Sequence, residues 1–232
     1  MNRGSAEAPA RRPVRSYVLR EGRLTPAQRG ALEKHWPRFG VELPPGALDL
    51  AGVFGRDAAV VMEIGFGNGE VLAAMAAEDP GSDFLGLEVW RPGIGALLQK
   101  AAAAELSNLR IIRGDAATVV SRHLAGAGLD RVMILFPDPW PKRRHHKRRL
   151  VQPAFIGALA RTLRDGGRLH LATDWAPYAR AMRDAVAAAG LFTAAATERP
   201  PWRPLSRFER RARAQGRPVF NLLYEAGSAA RR

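Results

Sequence analysis

Four carboxylates close four successive apolar runs: Glu63 after AVVM, Glu88 after DFLGL, Asp115 after NLRIIRG and Asp138 after RVMILFP. Acids placed this way can accept hydrogen bonds from a ligand's hydroxyls and amines, or steady positive charge building on it. The first acid opens EIGFGNG, where Gly65, Gly67 and Gly69 permit a tight turn and close approach of backbone to a ligand. The spacing is not the G-x-G-x-x-G of dinucleotide enzymes, and no G-K-[ST] phosphate loop follows. The fourth acid opens a different kind of stretch, FPDPWPKRRHHKRR, from Phe136 to Arg149. There Pro137, Pro139 and Pro141 fix φ and remove amide donors, and Trp140 offers a flat face for stacking. From Lys142 onward a dense cationic strip could neutralise phosphates.

These residues need a frame. Apolar runs of about six residues alternate with helical stretches, which predicts a parallel sheet covered on both faces. In a doubly wound α/β fold of this kind, ligands sit beyond the carboxyl ends of the strands, where all four acids fall. Ahead of it, Thr25-Pro26-Ala27-Gln28 reads as an N-cap with Pro in the first turn, so a helix should run to Phe39 and stop at Gly40. LPPGALDLAGVFG then reads as a turn-rich linker. VQPAFIGALARTLRDGG predicts a helix with a glycine stop, WAPYARAMRDAVAAAG another helix, and PVFNLLYEA a strand following a polar, Arg-rich stretch. The organisation expected is a disordered basic leader over 1–20, a helix and linker packing on the domain over 21–54, and an α/β domain over 55–232.

Glu88 lies about 20 residues after the glycines, where an acid can accept both hydroxyls of a ribose. Asp115 could take an amino donor such as an adenine N6. A ligand with ribose and adenine, no phosphates and a positive charge suits an acidic segment, and S-adenosylmethionine matches that description. A nicotinamide dinucleotide fits less well, because its pyrophosphate would lie among these acids.

The charge distribution points to a second ligand. The chain of 232 residues carries a net charge of +14. Lys and Arg minus Asp and Glu give +6 over residues 1–38, −5 over 39–129, +7 over 130–196 and +6 over 197–232. Basic charge confined to parts of a chain suggests a polyanionic partner, most simply a nucleic acid. There is no cysteine, hence no disulfide framework, thiolate metal site or thiol nucleophile. Without an apolar run near the ~20 residues of a membrane span, or a secretory signal, a soluble cytoplasmic protein is expected. His145 and His146, adjacent and without a partner set, make a poor metal site, so no metal is expected.

VMEIGFGNGEVL, LGLEVWRPGIG, GDA, FPDPWPKRRHHKRR, TDWAPYA and PLSRFERRARAQG, in that order, resemble the tRNA (guanine-N7)-methyltransferase family over about residues 55–225. The resemblance implies a Rossmann-like S-adenosylmethionine-dependent methyltransferase, acting on N7 of guanine at position 46 in the tRNA variable loop. It implies cofactor contacts at Glu63, Glu88, Asp115 and Asp138, beside Gly65 and Gly67 of the loop, with Asp138 also catalytic. It implies substrate contacts at Lys142, Asp174, Ser206, Arg207, Phe208 and Glu209. RNA is expected along Arg144, His145, His146, Lys147, Arg148 and Arg149. Two departures stand out: Ser206 replaces the family's usual Thr, and Arg211-Ala212 through Gly216-Arg217 lacks a glycine and a histidine of its usual pattern. The competing readings are an exocyclic-amine RNA methyltransferase and a non-catalytic RNA-binding protein on the same fold. The partner expected is tRNA, with no membrane, and the chain acting as a monomer or homodimer.

Overall fold

The computed structural model describes Ser16 and residues 23–228; the basic leader expected over 1–20 lies, Ser16 apart, outside them. Helix α1 (Pro26–Phe39) starts as its residues dictate. Thr25 Oγ1 accepts from Gln28 N–H at 3.2 Å, Thr25 N–H donates to Gln28 Oε1 at 3.0 Å, and Gly40 ends the helix. The expected linker is more ordered than its prolines suggest. It contains a short helix α2 (Leu50–Phe54), stopped by Gly55 in the left-handed region, and buries Leu48 and Leu50 in the core.

Seven strands form one sheet: β1 (Val60–Ile64), β2 (Asp83–Glu88), β3 (Leu109–Arg113), β4 (Leu129–Leu135), β5 (Leu163–Thr173), β6 (Phe192–Ala196) and β7 (Phe220–Ala226). Their order is β3-β2-β1-β4-β5-β7-β6; the first five are parallel, and β7 runs antiparallel to both neighbours. The reversal of order on either side of β1 creates the crevice that such folds use for ligands. Helices α3 (Glu70–Glu78), α4 (Arg91–Ala103), α5 (Ala116–Arg122), α6 (Pro153–Ala160) and α7 (Ala176–Ala189) make the crossovers and cover both faces.

Alternation along the strands divides the core. Met62, Ile64, Val132, Ile134, Leu169 and Leu171 point into a layer with α5, α6 and α7. Val61, Met133 and Ala172 point into the layer shared with α1, α3 and α4. Glu63 belongs to this second face by its period-2 position.

Three expectations are corrected. The helix expected to run on to Gly167 ends at Ala160, because Leu163 already pairs with Leu129, and a register shift follows before Arg168 pairs with Arg131. Strand β6 was not expected, since it is mostly exposed alanine and carries no apolar run. The Arg-rich stretch holds a helix, α8 (Arg207–Ala214), capped by Ser206, whose Oγ accepts from Glu209 N–H at 3.1 Å.

Candidate active site

The glycine loop leaves β1 with Gly65, Gly67 and Gly69 all at positive φ. Gly67 has φ +58°, and its carbonyl oxygen would lie 2.0 Å from a Cβ on Gly93, so the close approach needs glycine at 93. The loop thus packs directly on the start of α4. Glu88, at the end of β2, holds the two together. Its Oε2 accepts from Gly67 N–H at 2.9 Å, and its Oε1 accepts from Val89 and Trp90 N–H at 2.8 and 3.0 Å. Burial pushes the Glu88 carboxyl up from its usual range and the charge of Asp138 adds to this, while the three backbone donors pull it down.

A cleft opens along the carboxyl edge of β2, β1 and β4, lined by Gly65, Glu88, Gly114, Ala116, Pro137 and Asp138, among others. Asp138 is exposed at its mouth. The backbone around Asp138 is strained: Phe136 has φ +53° and Trp140 φ +44°, both in a region that side-chain-bearing residues seldom adopt. Arg149 braces the loop from below, donating from Nε to Pro139 O at 2.9 Å, with its guanidinium 4.8 Å from the centroid of the Tyr178 ring.

Glu63 does not line the cleft. It is 3% exposed, its Oε2 has no partner among the described residues, and burial pushes its carboxyl up to about 8 against the opposing pull of the Arg203 charge. Arg203 anchors a network of buried polar groups on the same face. Its Nη2 donates to Glu209 Oε2 at 2.7 Å and to Asn221 Oδ1 at 3.1 Å, and His170 Nε2 lies 3.1 Å from that same Asn221 oxygen. Burial and the Arg203 charge push His170 down to about 3, so it is neutral, and Asn221 Oδ1 makes Nε2 its protonated nitrogen. The Arg131 guanidinium stacks 3.7 Å above the Trp202 ring centroid. These groups take the place of an apolar layer beneath the 199–217 segment.

That segment is tied to the elements that frame the cleft. Arg210 pairs with Glu70, directly after the glycine loop, and Arg217 pairs with Asp174, directly after β5. Phe208 stacks on Phe136, which lines the cleft, with ring centroids 6.0 Å apart.

Comparison with known proteins decides what this frame belongs to. A family model described as "Putative methyltransferase" matches residues 57–222. The tRNA (guanine-N(7)-)-methyltransferase of Halorhodospira halophila is 52% identical over 219 residues, covering 92% of this chain and 95% of that one. Its namesake in Alcanivorax borkumensis is 51% identical, covering 92% of each. The chain belongs to the tRNA (guanine-N7)-methyltransferase family. Among solved structures, the 16S rRNA methyltransferase KamB superposes with a TM-score of 0.59 at 18% identity, covering 76% of this chain and 91% of that one. A 16S rRNA (adenine(1408)-N(1))-methyltransferase of Catenulisporales acidiphilia, solved with its cosubstrate SAM, gives a TM-score of 0.54 at 20% identity, covering 80% and 96%. Both share the fold, the Rossmann-like methyltransferase architecture.

Within this methyltransferase frame the expected residues divide into three groups. Glu88 and Asp138 converge on the cleft with Gly65. Asp115 stands beside it, but its Oδ2 caps α5, accepting from Thr118 N–H and Oγ1 at 3.0 and 2.9 Å, which leaves Oδ1 for a ligand. Lys142, Arg144, Lys147 and Arg148 are exposed in or beside the 3-10 turn Arg143–Arg148, with His145 and His146 half-buried there. Trp140 is not a free platform: His145 meets it edge-on at 5.7 Å and Arg148 lies 5.1 Å from its centroid.

Burial sets some of the expected residues apart from the surface. Arg149, expected on the RNA surface, is 5% exposed and is spent on Pro139 and Tyr178. Glu209, expected against substrate, is fully buried among Arg199, Arg203 and Arg213. Ser206 is likewise buried as the cap of α8, whereas Arg207 and Phe208 are exposed. Sequence alone does not single out Arg203 or Arg217. Arg203 gives no signal, since one arginine in an Arg-rich run resembles the rest; Arg217 stands out only as a departure from the family pattern.

Among the described residues no cluster of three or more His, Asp or Glu could hold a metal ion, and no helix is long and apolar enough to cross a membrane.

Proposed function

We propose that the chain methylates N7 of a guanine in the tRNA variable loop, at position 46, with Asp138 steadying the purine in the cleft between the glycine loop and β4. The observation that carries this is the shared cleft: Asp138 is exposed at the mouth of the pocket whose floor holds Glu88 and Gly65, four residues before the cationic turn. S-adenosylmethionine is the methyl donor, and the site fits it. Glu88 keeps lone pairs beyond its three backbone donors, Asp115 Oδ1 has no partner among the described residues, and a Cβ on Gly65 or Gly67 would meet open space, so these glycines keep the loop clear of side chains there. When bound, the donor supplies a sulfonium methyl: N7 forms the new bond with its lone pair, the carbon–sulfur bond breaks with its electrons going to sulfur, and no proton moves.

Guanine N7 already carries an exposed lone pair, so no strong base is required. Catalysis then rests on alignment and on carboxylates placed where positive charge grows on the purine. Asp138 takes that role, with Glu88 behind it. Glu63, buried on the Arg203 face with its carboxyl pushed up to about 8, stays largely uncharged near neutral pH. Lys142, Arg144, Lys147 and Arg148 hold the phosphates flanking the target. Glu209 and Ser206 act by fixing α8, so that Arg207 and Phe208 face the nucleotide. The chain works in the cytoplasm, as a monomer or homodimer, on tRNA.

The test is transfer from labelled S-adenosylmethionine to unmodified tRNA, comparing a variable-loop guanine with its 7-deaza analogue. Label on the first alone is expected. Equal label on both would move the reaction to an exocyclic amine or another site, and bound but unlabelled RNA would favour a binding protein.

A further inference from the structure

Asp174 directly follows β5, and Asp138 stands three residues beyond β4. These strands are hydrogen-bonded neighbours, and Phe136 N–H donates to Ala172 O at 2.8 Å, so both acids occupy one stretch of the carboxyl edge. Asp174 Oδ2 accepts from Arg217 Nη1. The arginine is itself clamped: Nε and Nη2 both donate to Gln215 Oε1, at 3.1 and 2.8 Å, and its backbone N–H donates to Ala212 O at 2.9 Å, in the last turn of α8. The pair remains accessible, with side-chain exposures of 40% for Arg217 and 22% for Asp174. An ion pair so exposed contributes little to stability, so this geometry invites another use.

What the pair leaves free is a defined pattern. Among the described residues Asp174 Oδ1 has no hydrogen-bond partner, and each η nitrogen of Arg217 keeps one N–H. An acceptor therefore stands beside a donor. The Watson–Crick edge of guanine offers the complement, N1–H and N2–H as donors next to O6 as acceptor. Adenine offers the reverse, an N6 donor beside the N1 acceptor.

We propose that Asp174 and Arg217 together select guanine by its Watson–Crick edge, Asp174 accepting from N1–H and N2–H while Arg217 donates to O6. This deepens the N7 reading above and rests on it. Two details support the assignment. Arginine commonly forks onto O6 and N7 of guanine, which would cover the reacting atom; Gln215 holds Nε and one Nη2 N–H, which takes the side-on edge of the guanidinium out of such a fork. Reading the opposite edge leaves N7 open toward Asp138. Asp174 also neutralises the guanidinium, so the purine does not meet a bare cation as it acquires positive charge.

The test compares three tRNAs carrying guanine, 2-aminopurine (no O6 and no N1–H) or inosine (no N2 amine) at the target position. A site built to bond O6 should discriminate against its absence, so wild type is expected to favour guanine over 2-aminopurine at least ~10-fold in kcat/KM. In Arg217→Ala the guanine value should fall by the part of that preference owed to O6, the 2-aminopurine value should hold, and the preference for guanine over inosine should persist. Arg217→Met, which keeps the aliphatic length, should behave alike if alanine disturbs packing. Equal losses on all three substrates would show that Arg217 only braces α8 and would overturn the inference, as would no loss at all. Equal methylation of a 7-deazaguanine tRNA by wild type would instead remove the N7 reading, and the inference with it.

Discussion

Arg203 Nη2 lies 2.7 Å from Glu209 Oε2, and neither side chain has any solvent exposure. Charges taken so completely from water need complete pairing, and Glu209 receives it from Arg213 at 2.9 Å and Arg199 at 3.7 Å besides. The pair fastens the segment before α8 to the helix itself, and through Asn221 to β7. Helix α8 is thus held by electrostatics where a typical helix would be held by apolar packing.

Removing one member should therefore be expensive. Glu209→Gln or Arg203→Met is expected to destabilise the protein by about 3–5 kcal/mol, the range for an orphaned buried charge. Urea unfolding followed by circular dichroism measures this. The double change Arg203→Met, Glu209→Leu should recover much of the loss, because a hydrophobic pair has no unmet charge. A loss under ~1 kcal/mol in either single variant would contradict the anchoring role.

Glu63 should trade stability against pH. Its folded-state carboxyl titrates near 8, raised from 4.5 chiefly by burial, so the folded protein holds the proton more tightly than the unfolded chain. Stability on this account is complete below pH 4.5 and falls as pH rises towards 8, by a few kcal/mol in all. Glu63→Gln removes the effect. Its melting temperature should match wild type near pH 4.5 and exceed it increasingly up to pH 8, while methyl transfer weakens. Parallel melting curves for the two proteins across that interval would show that Glu63 keeps an ordinary pKa.

Asp138→Asn is expected to lower kcat by about 100-fold, the scale for losing one electrostatic stabiliser of the transition state. KM for tRNA should stay within a few-fold, since the cationic turn is untouched. Steady-state kinetics separates these. A rise in KM with kcat preserved would make Asp138 a binding residue only.

The cationic turn and Arg149 should part company. Arg144→Ala with Lys147→Ala should weaken tRNA binding and lower the slope of log K against log salt by about 2, one for each phosphate no longer neutralised. Arg149→Ala should leave that slope unchanged and lower thermal stability, because its guanidinium serves Pro139 and Tyr178. Filter binding across a salt series decides between the two behaviours.

The fold was largely legible because its signals are local. Thr25 and Gln28 specify the start of α1, and apolar runs closed by acids mark β1 to β4. The edge that carries the candidate cleft is legible from the same residues, since a parallel strand delivers whatever ends it to one edge. What escaped was β6, whose exposed alanines have no periodicity, and the first turns of β5, which look helical until Leu163 is seen to pair with Leu129.

The sequence by itself determined the class of sheet, the edge on which the acids gather and the adjacency of Asp138 to a cationic turn, because each depends on residues close along the chain. Only the tertiary structure decided which charges are spent. Arg148 and Arg149 are neighbours in one basic run, yet one is exposed and the other buried beneath Pro139. Glu209 is buried by arginines on both sides of it in sequence, and Asp174 is met by Arg217 from 43 residues away. A charge in sequence has no partner until the chain folds, and its role depends on what it meets there: water, a ligand or another charge.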